Sequence, residues 1–203
     1  MISEVRKMQE RVLRILVADD DESVQAYYRR LMPTLGHELV GVVASGKTLV
    51  AECRALKPDL IITDIKMPDM DGIEAARQIY EQQPVPIILI SGYHDRDLIE
   101  RAAAEHILGY LVKPVRQESL QAEIGVAMRR FEEFQILRME AQHYRQTLQD
   151  RKVIEQAKGI LMKKAGLDEQ SAFRRLQTIA AEKNQKLAEI AKMIVLADTA
   201  FGA

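Results

Sequence analysis

"PDLIITDIKMPDMDGIEA", residues 58–75, decides the fold. From Asp59 to Asp64 the stretch is almost continuously apolar and ends in a carboxylate, the pattern of a strand buried on both faces of a parallel sheet. A helical stretch follows over 72–82, with Asp71 placed to cap it. The same strand signature returns in "VLRILVA" (12–18), "LVGVVA" (39–44), "PIILIS" (86–91) and "GYLV" (109–112). Helical stretches at 22–35, 47–56 and 95–104 lie between them, and Asp21 or Ser23 suits the first as a cap. Strand and helix thus alternate, which predicts an α/β domain with a doubly wound, five-stranded parallel sheet. In such folds the chemistry collects at the carboxyl ends of the strands, beside the topological switch point.

Those strand ends carry the candidate site. Strand one ends in Asp19, Asp20 and Asp21, and strand three in Asp64. Neighbouring parallel strands lie about 4.8 Å apart, so Asp19, Asp20 and Asp64 are expected to share one pocket. Carboxylates held together raise each other's pKa unless a cation joins them. A small set of hard oxygen donors suits Mg²⁺, which keeps its waters and recruits phosphate. Strand four adds the Ser91 hydroxyl and strand five the Lys113 ammonium. A metal, a lysine and a hydroxyl around one aspartate are what phosphoryl transfer needs, with Asp64 attacking in line to give an aspartyl phosphate. Singly, each residue has a plainer reading as a cap, a turn or surface; their placement at one end of one sheet argues for a site. "DMDG" is not a calcium loop, because that pattern needs an acid at 67, where Met67 stands.

"ILVADDD", "PDLIITDIKMPDMDGIEA", "PIILISGY" and "GYLVKP" closely resemble the receiver domain of two-component response regulators, over residues 12 to about 128. The resemblance implies a flavodoxin-like fold and a histidine kinase as phosphate source. It implies Asp64 as phosphoacceptor, and Asp19, Asp20, Asp64 and the Lys66 backbone carbonyl as Mg²⁺ ligands. It makes Ser91 and Lys113 the phosphate-sensing pair, Tyr110 the switch aromatic and the Lys113–Pro114 bond cis. It also implies a two-state switch in which phosphate draws Ser91 and Lys113 inward, Tyr110 follows, and the face of the fourth and fifth helices changes.

All six prolines lie at or before Pro114, and beyond it strong helix formers dominate. A single helix is expected from about Gln117 to Ala165. Leu120, Ile124, Ala127, Phe131, Phe134, Leu137, Ala141, Tyr144 and Leu148 recur three and four apart, with one phase slip. Two arrangements give that spacing, an intermolecular coiled-coil seam and a helix docked on its own domain; the length favours the seam, hence a homodimer that phosphorylation promotes. Gly166 suits a left-handed stop, Asp168 an N-cap and Asn184 a second stop. Two further helices are expected, with Ile154, Ala157, Leu161, Phe173, Leu176, Ile179, Ala180, Leu187, Ile190, Ala191 and Ile194 as one small three-helix core. The domains are then a receiver over 11–128, a coiled-coil linker helix over 117–150 and a three-helix unit over 151–203.

Within 151–195, "AKGILM", "GLDEQSAF" with the following "RLQ", and "LAEIAKMIV" resemble an ANTAR domain, the RNA-binding module of transcription antitermination regulators. The resemblance implies binding of stem-loops in leader RNA. The exposed candidates for phosphate contact are Lys158, Lys163, Lys164, Arg174, Arg175 and Lys183, although acids nearby would also make this a solvated face. Phe173 is the candidate aromatic for base stacking, though its spacing favours the core. Charge agrees in sign: residues 1–130 carry 17 Lys and Arg against 20 Asp and Glu, and residues 146–203 carry 10 against 7. The alternative is a helical output that binds a protein partner or DNA; a DNA reader needs a polar recognition helix, and "LAEIAKMIVLADTAF" is too apolar.

"GVVASGKT", residues 41–48, matches the phosphate-cradling pattern of NTPases. That pattern needs its first glycine just beyond a strand, and Gly41 sits inside one, so no nucleotide-hydrolysing activity is expected. Apolar runs are too short to span a membrane, and residues 1–10 lack the apolar core of a signal peptide, which makes the cytoplasm the default location. Cys53, the single cysteine, reads as a small apolar helix residue.

Overall fold

The computed structural model describes residues 11–92 and 107–201. The helix expected at 95–104 and the two chain ends lie outside the described residues. The chain divides into two compact units, Met1–Gln135 and Ile136–Ala203.

In the first unit, strands β1 (Arg14–Ala18), β2 (Glu38–Val43), β3 (Leu60–Asp64), β4 (Ile87–Ser91) and β5 (Gly109–Val112) form one sheet in the order β2-β1-β3-β4-β5. Every pairing is parallel, as expected. Helices α1 (Glu22–Thr34), α2 (Gly46–Leu56) and α3 (Gly72–Gln82) connect the first four strands. Each starts at a side-chain cap: Asp21 accepts from the Ser23 and Val24 amides, Ser45 from Thr48 and Asp71 from Glu74.

Strand alternation sorts the core into two layers. Leu16, Ala18, Ile61, Ile87 and Leu89 pack with Leu49 and Cys53 of α2 and Ile73, Ala76 and Ile79 of α3. Ile15, Val17, Leu60, Ile62, Ile88 and Ile90 pack on the other face with Tyr28, Leu31 and Met32 of α1. Leu120, Ile124 and Ala127, from the first turns of the long helix α4 (Gln117–Ala165), complete this second layer. Leu120 and Ile124 are therefore not seam residues. They are 0% and 3% exposed, and over these first turns the spacing is that of a helix docked on its own sheet. Phe131 and Phe134 are half-buried, and Phe134 lies 6.4 Å from Tyr80 between ring centroids. Burial holds the Cys53 thiol at about 11, well above its ordinary value.

Gly41 lies within β2, where a Cβ would press on the Leu16 and Leu56 side chains, each 2.9 Å away. Only Ala44 and Ser45 separate β2 from α2. The glycine serves strand packing, and there is no loop between Gly41 and Gly46 in which backbone amides could cradle a phosphate.

His37 follows α1 and faces a groove that Arg11, Glu118, Arg129 and Glu132 also line. The Leu13 amide donates to His37 Nδ1 at 3.4 Å, and burial lowers the histidine pKa from 6.5. A histidine whose folded pKa is depressed binds fewer protons folded than unfolded, so stability falls as pH drops through 6.5. His37→Asn keeps an acceptor near Nδ1 and does not titrate. Between pH 7.5 and 5.5 the wild type is expected to lose a few degrees of Tm more than His37→Asn; parallel curves would exclude this role.

The second unit holds the remainder of α4, α5 (Glu169–Lys183) and α6 (Leu187–Phe201). Asp168 caps α5, while Gly166 (φ +62°) and Asn184 (φ 51°) take the left-handed stops expected of them. Ala157, Leu176, Ala180, Ile190 and Ala191 form the core, with Val153, Ile154, Leu161, Ile179, Leu187, Ile194 and Val195 packed around it. Phe173 is not part of it: Ala172 is fully buried, and Phe173, one position round the helix, is 36% exposed. Residues 136–149 of α4 are exposed on every face, Ile136, Leu137, Met139, Tyr144 and Leu148 included.

Candidate functional site

Sheet register assembles the acidic pocket. Ala18 pairs with Thr63, so Asp19 emerges beside Asp64 where the two strands end. The Asp19 amide donates to the Val43 carbonyl at 3.0 Å, and its own carbonyl accepts from Gln25 Nε2 at 2.8 Å. Gln25 thus fixes the end of β1, a role with no signal in the sequence. Carboxylate oxygens of Asp19, Asp20 and Asp64 all lie within 4.8 Å of one another, with Asp19 and Asp64 buried and Asp20 exposed. Asp21 stays outside, because its Oδ1 accepts from the Ser23 amide and hydroxyl at 2.7 and 2.6 Å. Those bonds hold its pKa below the ordinary value.

Lys113 enters from the end of β5. Its Nζ donates to Asp19 Oδ2 at 2.9 Å and Asp64 Oδ2 at 2.5 Å, and the Lys113–Pro114 bond is cis. Burial raises the Asp19 pKa and outweighs the opposing bonds from Lys113 and the Asp21 amide. For Lys113 burial pulls the pKa down, yet its bonds to the two carboxylates prevail and hold it above its ordinary value. One ammonium thus faces two buried carboxylates, leaving net negative charge in the pocket.

The other expected residues stand around this core. Ser91 is buried at the end of β4 and donates to the Gly92 carbonyl at 2.9 Å. Lys113 donates its amide to the Ser91 carbonyl at 2.8 Å, tying β4 to β5. The Lys66 amide lies 3.4 Å from Asp64 Oδ1, which places this backbone at the pocket wall. Tyr110 is half-buried on β5, its amide donating to Glu123 Oε1 at 3.3 Å. Gly72 is required at the start of α3, because a Cβ there would overlap the Asp64 carbonyl oxygen. The Tyr27 hydroxyl ties α1 to the Val115 carbonyl at 3.2 Å, just after Pro114. The donors fit a divalent cation: hard carboxylate oxygens from two adjacent strand ends, within one coordination sphere's reach, with surplus negative charge.

On the second unit, two of the six basic candidates are engaged. Lys158 was expected to be exposed and is buried, its ammonium held by Glu155 Oε2 at 2.9 Å and Glu169 Oε1 at 2.7 Å. It braces α4 against α5 and is not available to a phosphate. Lys164 pairs with Asp198 at 2.5 Å. Lys163, Arg174, Arg175 and Lys183 are exposed. Hydrogen bonds from Ser171, and then the charge of Arg174, lower the Asp168 pKa.

Comparison with known proteins agrees with both units. A protein 34% identical over 182 residues, 90% of this chain and 89% of its own, is the transcriptional regulatory protein PdtaR of Mycobacterium tuberculosis. The receiver domain of a modulated diguanylate cyclase from Desulfovibrio desulfuricans G20 superposes with a TM-score of 0.56 at 29% identity, covering 59% of this chain and 96% of that one. A LuxR-family two-component response regulator from Aurantimonas superposes at 0.55 with 25% identity, over 59% of this chain and 86% of that one. Residues 15–125 match the response regulator receiver domain and residues 134–195 the ANTAR domain. With the strand-end carboxylates, the bridging lysine and these matches together, the chain belongs to the response regulator receiver family and carries an ANTAR domain as its output.

Proposed function

We propose that the chain is a phosphorylation-controlled regulator that binds stem-loops in leader RNA and so causes transcription antitermination. The observation that carries this reading is the pocket, where Lys113 holds Asp64 at 2.5 Å beside Asp19. Asp64 would take the phosphoryl group from a cognate histidine kinase: a bond forms between its free oxygen and phosphorus while the phosphorus–nitrogen bond to the kinase histidine breaks. Asp19, Asp20, Asp64 and the Lys66 carbonyl would hold Mg²⁺, which supplies charge neutralisation at the transferred group. Lys113 would leave the Asp64 carboxylate for a phosphoryl oxygen. Ser91 would turn from the Gly92 carbonyl to another, and Tyr110 would follow inward. Asp64 serves as an acceptor only, with no nucleotide hydrolysis.

The signal would leave through α4. Leu137, Tyr144 and Leu148, with Phe131 and Phe134 at the edge of the first unit, form the seam of a homodimer that phosphorylation promotes. Exposed apolar side chains along a helix segment that lacks packing of its own support this pairing. Lys163, Arg174, Arg175 and Lys183 would contact RNA phosphates. Such a protein works in the cytoplasm, where kinase and transcript meet.

The test measures binding to a hairpin-rich leader RNA with and without acetyl phosphate, beside Asp64→Asn. We expect phosphodonor to strengthen wild-type binding at least about tenfold and leave Asp64→Asn unchanged. No RNA affinity in either state would remove this reading in favour of a protein or DNA partner. Equal gains in both proteins would remove the switch.

A further inference from the structure

Phe173 stands where a core residue was expected, and it borders a hollow of about 450 Å³ at the passage of α4 past the start of α5. Glu155 and Lys158 of α4 and Glu169, Gln170 and Phe173 of α5 line it. The Lys158 ammonium is fixed by three bonds, to Glu155 Oε1 at 3.1 Å, Glu155 Oε2 at 2.9 Å and Glu169 Oε1 at 2.7 Å. That brace engages the lysine within the unit and turns its ammonium toward Glu155 and Glu169. Gly159 lies one turn from Glu155 on the same helix face, and a Cβ added there would meet nothing within 4 Å. A glycine inside a helix costs about 1 kcal/mol against alanine, and no neighbour in the unit needs the space it leaves.

The chemistry of the hollow is selective. An exposed aromatic ring offers a flat apolar face. The Gln170 amide offers both a donor and an acceptor. Glu169 binds Lys158 through Oε1, so Oε2 remains toward solvent, with 71% of the side chain exposed. With Lys158 between them, the two rim carboxylates still leave net negative charge, which disfavours the sugar–phosphate backbone and favours a neutral base. Arg174, next to Phe173 and one turn beyond Gln170, is exposed for the flanking phosphate.

We propose that this hollow receives one unpaired RNA base, stacked on Phe173, with its edge read by Gln170 and the outer oxygen of Glu169. The proposal rests on the RNA-binding reading above and names the site where sequence is read. A carboxylate accepts and never donates, so the favoured base presents an exocyclic amino group, as adenine, cytosine and guanine do; uracil offers only its N3–H, set between two carbonyl oxygens that the carboxylate repels. The unpaired state is required because stacking on a side chain needs a base out of its own helix.

The test uses the full chain and RNA hairpins that share one stem and carry randomised loops, from which the tightest wild-type binder is taken. Phe173→Leu keeps an apolar side chain without a ring, and Phe173→Tyr keeps the ring. Thermal unfolding and helical circular dichroism establish that both variants fold. We expect Phe173→Leu to weaken binding roughly 5- to 150-fold and Phe173→Tyr to retain it. An abasic substitution at one loop position should weaken wild-type binding by the same factor and add nothing in Phe173→Leu. Uridine at that position should weaken binding, and Glu169→Gln should narrow the difference. Wild-type affinity retained by Phe173→Leu removes the site and leaves the RNA reading standing. Losses that add independently at every loop position also remove it. If Phe173→Leu does not fold, the Tyr variant and the abasic series decide: loss in Phe173→Tyr, or tolerance of every abasic position, overturns the proposal. Failure of the wild type to bind any hairpin removes the RNA reading and this site together.

Discussion

Asp64→Asn is expected to leave a folded protein that takes no phosphate. Incubated with radiolabelled acetyl phosphate and Mg²⁺, the wild type should gain label, and the variant should fall to background, about 10³-fold lower or more. The change is nearly isosteric, but an amide oxygen is a far weaker nucleophile than a carboxylate, and the variant also loses one of three charges around the cation site. Wild-type label should be released by mild alkali or hydroxylamine, as an acyl phosphate requires. Alkali-stable label, or label that persists in Asp64→Asn, would place the acceptor elsewhere. The fold should survive, because Asp64 contributes no hydrophobic contact and the loop after it is closed by backbone, the Gly72 amide donating to the Ile65 carbonyl at 2.8 Å.

Lys113→Met separates binding from chemistry. The Lys113 side chain is 31% exposed, and its ammonium touches the carboxylates of two aspartates whose side chains are 1% and 11% exposed. Its removal leaves Asp19 and Asp64 face to face without compensation. Loss of one partner from a fully buried ion pair costs about 3–5 kcal/mol; the solvent reaching Lys113 reduces this to about 1–3 kcal/mol. Mg²⁺ should then bind more tightly, because it meets less positive charge, and should restore more Tm to the variant than to the wild type. Phosphate incorporation should nevertheless drop about 10²-fold or more, since the donor proposed to meet the phosphoryl oxygens is gone. A variant with unchanged stability and unchanged labelling would show that the 2.5 and 2.9 Å contacts carry neither burden.

The sequence exposed the pocket because strand periodicity is a local signal. Once "DLIITD" and "ILVADDD" read as buried parallel strands, Asp19 and Asp64 had to emerge at one edge, and Ser91 and Lys113 followed by the same rule. What it did not expose depends on partners far along the chain. Leu120 and Ile124 have a spacing common to a seam and to a helix lying on its own sheet; the apolar face of Ile62, Ile88 and Ile90 decides between them. Lys158 looked exposed because Glu169, which holds it, lies across a helix break. Phe173 looked buried because it sits one position from Ala172 and three from Leu176, at the border of the buried stripe, where a rotation of a few tens of degrees changes its environment. Gln25 gave no signal at all, since its partner is a backbone carbonyl.

Cys53 turns the receiver core into its own clock. A thiol with a pKa of about 11, on the face of α2 packed against the sheet, presents almost no thiolate at neutral pH, and only the thiolate reacts quickly. Because it is the only sulfhydryl in the chain, its modification by an alkylating reagent counts the moments when α2 lifts from the sheet. Phosphorylation, metal and RNA can each be weighed by how far they slow that single reaction, with no probe attached and no residue changed.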